Sequence, residues 1–212
     1  MRVFAEQVSV NPLQCQAYQV EIAGRIEGTR DVRIVFPKHD PCVTLGRHTP
    51  EAEVLALDRA RQEAGSIEIF RLVRGGGATY HGPGQFIAYI LADLRTWNVS
   101  IPEYIHTLEE AMIALLLRLG VRGDRSKGRP GVFLKGAKVG FVGVGVRHGV
   151  SLHGVSLNIG PATLEGFQWI VPCGMPGLPI GQLSDHGPVP GIAEVQGLFL
   201  DAFQEVWRGW ER

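Results

Sequence analysis

Cysteine is scarce in this sequence, and neither sign of charge is in excess. The 212 residues include 3 cysteines, and 21 Lys and Arg residues are matched by 21 Asp and Glu residues. Three cysteines without a CxxC spacing support neither a disulfide framework nor a zinc ribbon. Because the chain has no net positive charge, it lacks the electrostatic field typical of nucleic-acid-binding proteins, and neither DNA nor RNA is an expected partner.

Long apolar segments are also missing. The longest run of aliphatic residues and methionine, Ala111–Leu117, has seven residues, whereas roughly 20 are needed to span a bilayer. The first residues, Met1–Gln7, lack the apolar stretch of a secretory signal. We therefore expect a cytoplasmic protein without membrane contact. No linker or internal repeat divides the sequence, which predicts one domain over residues 1–212.

Hydrophobic periodicity predicts an α+β fold. Helices are expected over residues 49–65, 100–119 and 192–210. Ser100 and Glu103 have the spacing of a capping box at the start of the second helix. Strand-like runs cover residues 31–36, 67–73, 86–92, 131–134, 139–146 and 150–158, and the last two read as a hairpin. Strands that follow one another with few helices between them favour a mixed or mainly antiparallel sheet with flanking helices.

Glycine-rich segments suggest nucleotide sites but match them poorly. The segment Gly131–Gly136 has phosphate-loop spacing, but Ala137 stands where the Lys is required. Gly143 and Gly145 lack the third glycine of a dinucleotide loop. The seven histidines contain no HExxH pattern. No cofactor and no metal site is therefore expected.

The segment Arg74–Gln85 has the composition of a ligand-binding loop. It joins two predicted strands with twelve residues, five of them glycine, which is longer than a hairpin connection requires. Glycine lets the backbone approach a ligand closely, and Arg, Thr, Tyr, His and Gln provide polar groups in the same place. We predict that this segment contacts a substrate.

The same segment, RGGGATYHGPGQ, resembles the signature of the octanoyltransferases of lipoate biosynthesis. Further segments similar to that family follow in order: HDPCVTLGR at 39–47, GAKVG at 136–140, HGVSLN at 153–158 and IVPCG at 170–174. The resemblance implies the fold of biotin- and lipoate-protein ligases. It also implies transfer of an octanoyl group, without ATP, from octanoyl-acyl carrier protein to a lysine of a lipoyl domain. The acceptors implied are E2 subunits of 2-oxoacid dehydrogenases and the glycine cleavage H protein.

The resemblance also implies roles for individual residues. By their matching positions, Cys173 would be the acyl-thioester nucleophile and Lys138 its acid/base partner. The implied substrate contacts are Arg74, Gly75, Gly76, Gly77, Ala78, Thr79, Tyr80, His81, Phe141, Val142, Gly143, Gly154, Val155 and Ser156. Gly140 and Ser156 stand where the family usually has alanine, so we expect a different pocket wall there. The segment 177–183 also departs from the family pattern.

A cysteine and a lysine suit this transfer chemically. An acyl group on a thiol remains an activated thioester, and a nearby ammonium group favours the thiolate that attacks. The lysine could protonate the leaving thiol and then accept a proton from the incoming amine. Lys135, three residues before Lys138, is expected to meet solvent. The N–H of Gly174 is expected to face the oxyanion.

The glycines of the strand pair are expected to leave room for the acyl chain. Gly140, Gly143 and Gly145 would provide a strand face without side chains, and Phe141, Val142 and Val155 an apolar lining.

Three alternatives remain open at this stage. An ATP-dependent lipoate- or biotin-protein ligase would share the fold but would need a nucleotide to acylate its target. An amidotransferase would take the octanoyl group from an octanoylated domain instead of a carrier protein. A module that only binds acyl groups would require neither Cys173 nor Lys138.

Overall fold

The computed structural model describes residues 2–50, 53 and 67–211, which form ten strands and four α-helices. The strands are β1 (Arg2–Ser9), β2 (Asp31–Lys38), β3 (Cys42–Leu45), β4 (Glu68–Arg71), β5 (Thr79–His81), β6 (Gln85–Leu91), β7 (Asp124–Ser126), β8 (Arg129–Leu134), β9 (Ala137–Arg147) and β10 (Val150–Asn158). The helices are α1 (Pro12–Ile26), α2 (Ile101–Arg118), α3 (Ala162–Glu165) and α4 (Ile192–Trp207). The helix predicted over 49–65 lies almost entirely outside the described residues.

The main sheet is mixed, as the sequence predicts. Its seven strands have the order β1-β2-β6-β10-β9-β8-β7. Strands β1 and β2 are parallel, and every other neighbouring pair is antiparallel. The predicted hairpin is present as β9 and β10, which pair from Arg147 and Val150 to Gly140 and Leu157. A smaller sheet has the order β4-β3-β5. The α+β fold class is therefore confirmed.

Helices cover both faces of the main sheet. Ile34 of β2 packs in the core that contains α2 and α4, whereas its neighbour Val35 packs in the core that contains Ile22 of α1. Successive strand residues point to opposite faces, so the apolar run of a central strand supplies both cores at once. A third apolar cluster surrounds Tyr80 and Phe167 beside the smaller sheet.

Helix α2 begins with the predicted capping box. Ser100 accepts a hydrogen bond from Glu103 N, and the Glu103 carboxylate accepts one from Ser100 N. Helix α1 and strand β1 are absent from the predictions above, although Asn11 and Gln14 form a second capping box at the start of α1. In the described part of the chain, no helix combines the length and the apolar character that crossing a bilayer requires.

Candidate active site

Cys173 and Lys138 are in contact although 35 residues separate them. The Nζ of Lys138 lies 3.4 Å from the Sγ of Cys173 and donates a hydrogen bond of 2.7 Å to the carbonyl oxygen of Pro130. Lys138 is 2% exposed, and its Nζ also lies 5.0 Å from the ring centre of Phe141. A buried amino group is thus held against a thiol by the backbone of β8.

The backbone of Lys138 is fixed by the chain that follows Cys173. Lys138 N–H donates to Pro179 O at 2.8 Å, and Gly181 N–H donates to Lys138 O at 3.0 Å. Gly131 leaves the path open for the lysine side chain, because a Cβ there would lie 2.7 Å from Lys138 Cε. The φ of Gly131 is +128°, a conformation that other residues rarely adopt.

Cys173 is positioned by the glycine-rich loop. Its N–H donates to Ala78 O at 3.2 Å, and Ala78 pairs with Pro172 as a parallel bridge. A Cβ on Gly77 would press on the backbone of Cys173 and Gly174, so only glycine permits this approach. Cys173 itself has a φ of +58°. Such strain in a residue other than glycine is typical of functional positions.

The backbone donors beside Cys173 are already engaged. Gly174 N–H, the expected oxyanion donor, donates to Val171 O at 3.2 Å. Ala78 N–H donates to the Glu53 carboxylate at 2.8 Å. For either N–H group to stabilise an oxyanion, its present acceptor would have to move away.

A cavity opens beside Cys173, and most of the residues expected to contact the substrate line it. Its empty space is about 460 Å³ including the open mouth, and it is narrow inside. The expected residues that line it are Arg74, Gly76, Gly77, Ala78, Thr79, His81, Phe141, Val142, Gly143, Gly154, Val155 and Ser156. Tyr89 and His153 line it as well, although neither was among the expected substrate contacts. His153 does begin the HGVSLN segment.

Two expected contacts, Gly75 and Tyr80, are not part of the cavity lining. Gly75 N–H donates to Val144 O at 2.9 Å and anchors the loop to β9. The Tyr80 ring packs edge-on against Phe167, with 6.0 Å between ring centres. Because side chains alternate along a strand, Thr79 faces the cavity while Tyr80 faces away from it.

Arg74 supports the loop through four hydrogen bonds. Its Nη1 donates to Gly75 O and Gly77 O at 3.0 Å, and its Nη2 donates to the carbonyl and hydroxyl oxygens of Thr44 at 2.7 and 2.8 Å. The guanidinium is buried. Its hydrogen bonds fold the glycine-rich loop around itself and attach the loop to β3.

The expectation that glycines of β9 leave space for an acyl chain is corrected by the packing at Gly140 and Gly145, whereas Gly143 does line the cavity. A Cβ on Gly140 would lie 3.1 Å from Met112 Sδ, on the α2 side of the sheet. At Gly145 a Cβ would overlap the carbonyl oxygen of Val73, and at Gly143 it would lie 3.2 Å from Arg74 Cδ. The missing side chain of Gly140 leaves room for α2, and those of Gly143 and Gly145 leave room for the start of the glycine-rich loop. Gly140 therefore does not alter the pocket wall, whereas Ser156 does line it.

Two buried histidines present hydrogen-bond acceptors to the cavity. The side-chain amide of Gln85 donates to Tyr80 O and Asn158, so its oxygen accepts from His81 Nδ1 at 2.7 Å. Val73 N–H donates to Gln16 Oε1, so that oxygen accepts from His153 Nε2 at 3.2 Å. Each neutral ring then has a lone pair on its other nitrogen.

Burial keeps both rings neutral near pH 7. Desolvation, with smaller contributions from His39 and Arg74, lowers the pKa of His81 and of His153 to about 3. Among the described residues, His153 Nδ1 and Thr79 Oγ1 are buried without a hydrogen-bond partner, and both belong to cavity-lining residues. The wall can therefore accept hydrogen bonds from an N–H or O–H group that enters the cavity.

His153 reaches the cavity through a break in strand alternation. Leu152 packs in the core of α1 and Val155 in the core of α2. Regular alternation would put residue 153 on the α2 side. Its φ of +60° instead turns the ring toward Tyr89, with 5.3 Å between ring centres.

The other cysteines are in different surroundings from Cys173. Cys15 and Cys42 are 0% and 1% exposed, and burial raises the pKa of each thiol to about 12. Lys135 is exposed, as expected. In the part of the chain that the structure describes, no three His, Cys, Asp or Glu residues are grouped to hold a metal ion.

Comparison with known proteins identifies the family. The family described as lipoyl protein ligase A/B catalytic domain matches residues 11–204. An octanoyltransferase of Azoarcus sp. is 40% identical over 180 residues, which span 85% of this chain and 76% of the relative. The chain belongs to the octanoyltransferase family. A second octanoyltransferase, from Synechococcus sp., is 42% identical over 78% of this chain. That match spans 65% of the Synechococcus octanoyltransferase, slightly less than two thirds of its length.

Solved structures share the fold of this octanoyltransferase-family chain. A lipoate-protein ligase A bound with ATP superposes with a TM-score of 0.81 at 19% identity, covering 98% of this chain and 85% of that one. A bipartite lipoate-protein ligase of Thermoplasma acidophilum, studied with its E2 lipoyl domain, gives 0.77 at 18% identity, covering 98% and 84%. A biotin protein ligase of Aquifex aeolicus gives 0.54 at 10% identity, covering 98% and 70%. The expected fold is confirmed.

Proposed function

We propose that this protein transfers an octanoyl group from octanoyl-acyl carrier protein to a lysine of a lipoyl domain through a thioester on Cys173. The observation that carries the proposal is the 3.4 Å contact between Lys138 Nζ and Cys173 Sγ at a partly apolar cavity. Among the three cysteines, Cys173 alone is partly exposed. The octanoyltransferase relatives support the acyl group transferred.

In the first half-reaction the Cys173 thiolate attacks the carbonyl carbon of the donor thioester. The bond from carbon to the carrier sulfur breaks, and the leaving sulfur takes a proton from the Lys138 ammonium. The octanoyl group remains on Cys173 as a thioester, and Lys138 is neutral. The short distance between the two groups suits both the stabilisation of the thiolate and this proton transfer.

In the second half-reaction a neutral lysine of the acceptor domain attacks the Cys173 thioester. A new amide bond forms, and the Cys173 thiolate leaves. Lys138 accepts the proton that the attacking nitrogen loses, which returns both residues to their starting states.

The donor thioester supplies the activation that a ligase obtains from ATP. A thioester intermediate needs a nucleophilic thiol at the cavity, which Cys173 provides. Acceptors of the proposed reaction are the lipoyl domains of E2 subunits, with which the Thermoplasma ligase of similar fold was studied. We propose the glycine cleavage H protein as a further acceptor. We place the reaction in the cytoplasm.

Intact-mass measurement after incubation with octanoyl-acyl carrier protein, without nucleotide, tests the proposal. We expect one octanoyl group, mapped to Cys173 and released by hydroxylamine. The variants C15A and C42A should keep the adduct, and C173A should lose it. An adduct on another cysteine, or one that persists in C173A, would overturn the assignment. A requirement for ATP would indicate a ligase, and an octanoylated domain acting as the better donor would indicate an amidotransferase.

The two neighbouring lysines offer a matched pair of variants. K138A should slow both thioester formation and iodoacetamide alkylation of Cys173 near pH 7, because the thiolate loses its cationic neighbour. K135A removes an exposed lysine three residues away and should change neither rate. Equal pH profiles of Cys173 alkylation in wild type and K138A would leave Lys138 without its proposed role.

A further inference from the structure

A basic surface lies beside Cys173 and Lys138, although the chain as a whole has no net charge. It consists of residues 121–130, the approach to β7, the β7–β8 turn and the start of β8, which we call the basic hairpin. Its charged residues are Arg122, Asp124, Arg125, Lys127 and Arg129, all exposed. Four positive charges against one negative charge make it attractive to an acidic surface.

Most of this positive charge is not neutralised within the described part of the chain. Arg125 pairs with Glu109 at 3.2 Å and with Glu110. Among the described residues, Arg122, Lys127 and Arg129 have no ion-pair partner. Exposed cations without partners are free to pair with acidic groups of another molecule.

The basic hairpin is held in a fixed position relative to Lys138. The buried carboxylate of Glu109 on α2 accepts a hydrogen bond from Gly131 N at 2.7 Å with one oxygen and pairs with Arg125 through the other. One helix residue thus fixes both strands of the hairpin. The carbonyl of Pro130, next in the chain to Arg129, contacts the Lys138 ammonium at 2.7 Å.

The reach of an acceptor lysine decides which protein can use this surface. By chain geometry, the Cα of Arg129 is within about 9 Å of Lys138 Nζ. An acceptor lysine must place its own nitrogen at the Cys173 thioester, and its extended side chain reaches only about 6 Å from its Cα. The acceptor domain must therefore rest on the surface that surrounds Cys173. A donor whose acyl group is carried on a long flexible arm can dock farther away.

We propose that the basic hairpin is the docking surface for an acidic face of the domain that carries the acceptor lysine. This inference rests on the proposed function, because it assumes that Cys173 passes its acyl group to a protein lysine. Charge pairs at the rim of an interface mainly steer association and fix orientation. The expected signature is an effect on the KM for the acceptor that depends on salt concentration.

The test compares the double variant K127E/R129E with the control R25E/R208E, which reverses two exposed charges on α1 and just after α4. At low salt, K127E/R129E should raise the KM for a lipoyl domain about tenfold, and the control should not. The kcat of transfer and the rate of Cys173 octanoylation by octanoyl-acyl carrier protein should stay within about twofold. The KM difference should shrink at high salt as screening increases.

Direct binding separates this inference from the proposed function. The lipoyl domain, with its acceptor lysine changed to arginine, should bind the wild type and the control more tightly than K127E/R129E, whether or not catalysis occurs. An unchanged KM and affinity in K127E/R129E would overturn the inference. So would an effect confined to octanoylation of Cys173, which would assign the hairpin to the donor. Absence of any Cys173 thioester in the wild type would overturn the proposed function alone.

Discussion

The carbonyl oxygen of Val73 lies against the α-carbon of Gly145, in space that the side chain of any other residue would occupy. The start of the glycine-rich loop is therefore seated directly on β9. Gly75 N–H continues this contact with its bond to Val144 O at 2.9 Å. Ala78 O of the same loop accepts a hydrogen bond from Cys173 N–H. The packing of the loop on β9 therefore also determines where the thiol lies.

The substitution G145A should therefore push the start of the glycine-rich loop away from β9. We expect a loss of about 1–3 kcal/mol of unfolding free energy from overpacking, together with slower alkylation of Cys173. G24A in α1, where a Cβ has no atom within 4 Å, should instead stabilise by up to about 1 kcal/mol. Thermal unfolding and alkylation rates measure both effects, and a harmless G145A would contradict this packing.

Gly131 offers a test of how the lysine reaches Cys173. G131A should displace Lys138, because the new Cβ would lie 2.7 Å from Lys138 Cε. G128A is the matched control, since Gly128 also has a positive φ but open space around it. G128A should lose about 1–2 kcal/mol through backbone strain and keep acyl transfer. G131A should lose more stability, because its Cβ would also overlap the backbone oxygen of Gly140, and should lose acyl transfer as well. Equal transfer rates in the two variants would show that the lysine tolerates the contact.

Thiol labelling should distinguish the three cysteines. In the folded protein at pH 8, iodoacetamide should modify Cys173 alone, because burial raises the pKa of the Cys15 and Cys42 thiols to about 12 and the two side chains are 0% and 1% exposed. Peptide mapping before and after denaturation measures this. Rapid modification of Cys15 or Cys42 in the folded protein would refute the expectation.

The buried histidines should make the protein sensitive to acid. Their pKa values are about 3 in the folded protein and near 6.5 in an unfolded chain. Between these values the unfolded chain binds more protons, so the free energy of unfolding falls as pH is lowered from about 6.5 toward 3. The slope is at most about 1.4 kcal/mol per pH unit for each histidine.

Denaturation curves from pH 4 to 8 measure this slope. H153Q should reduce the pH slope of the unfolding free energy by the contribution of one histidine. H148Q changes an exposed residue of the β9–β10 turn and serves as the control. Identical slopes in wild type and H153Q would mean that His153 is protonated in the folded protein. The comparison uses slopes, so a general loss of stability in H153Q does not obscure it.

Elements set by local sequence were predictable, and contacts across the fold were not. The capping box at Ser100 and the β9–β10 hairpin follow from neighbouring residues. The contact between Lys138 and Cys173 joins residues 35 positions apart, and spacing alone could not select Lys138 over Lys135. Its prediction came from resemblance to a family.

The facing of individual residues was the main source of error at the site. Gly140 and Gly143 were expected to line the same slot, but strand alternation puts residues three apart on opposite faces, and one faces α2 while the other faces the loop. His153 breaks the alternation that would otherwise place it on the α2 side. The reversal at His153 arises from its positive φ of +60°, a backbone conformation that the local pattern does not encode.

The bonds from Lys138 to Pro179 and Gly181 make the segment after Cys173 a tether. This segment begins at Cys173 and ends at Pro179 and Gly181, which are hydrogen-bonded to the backbone of Lys138. The side chain of the same lysine contacts the Cys173 thiol. The residues between Cys173 and Pro179 are mostly exposed, so most of their identities can change without disturbing the core. Their number cannot, because one residue more or fewer would pull Pro179 out of register with Lys138. The length of this segment, more than its composition, therefore sets where Pro179 meets Lys138.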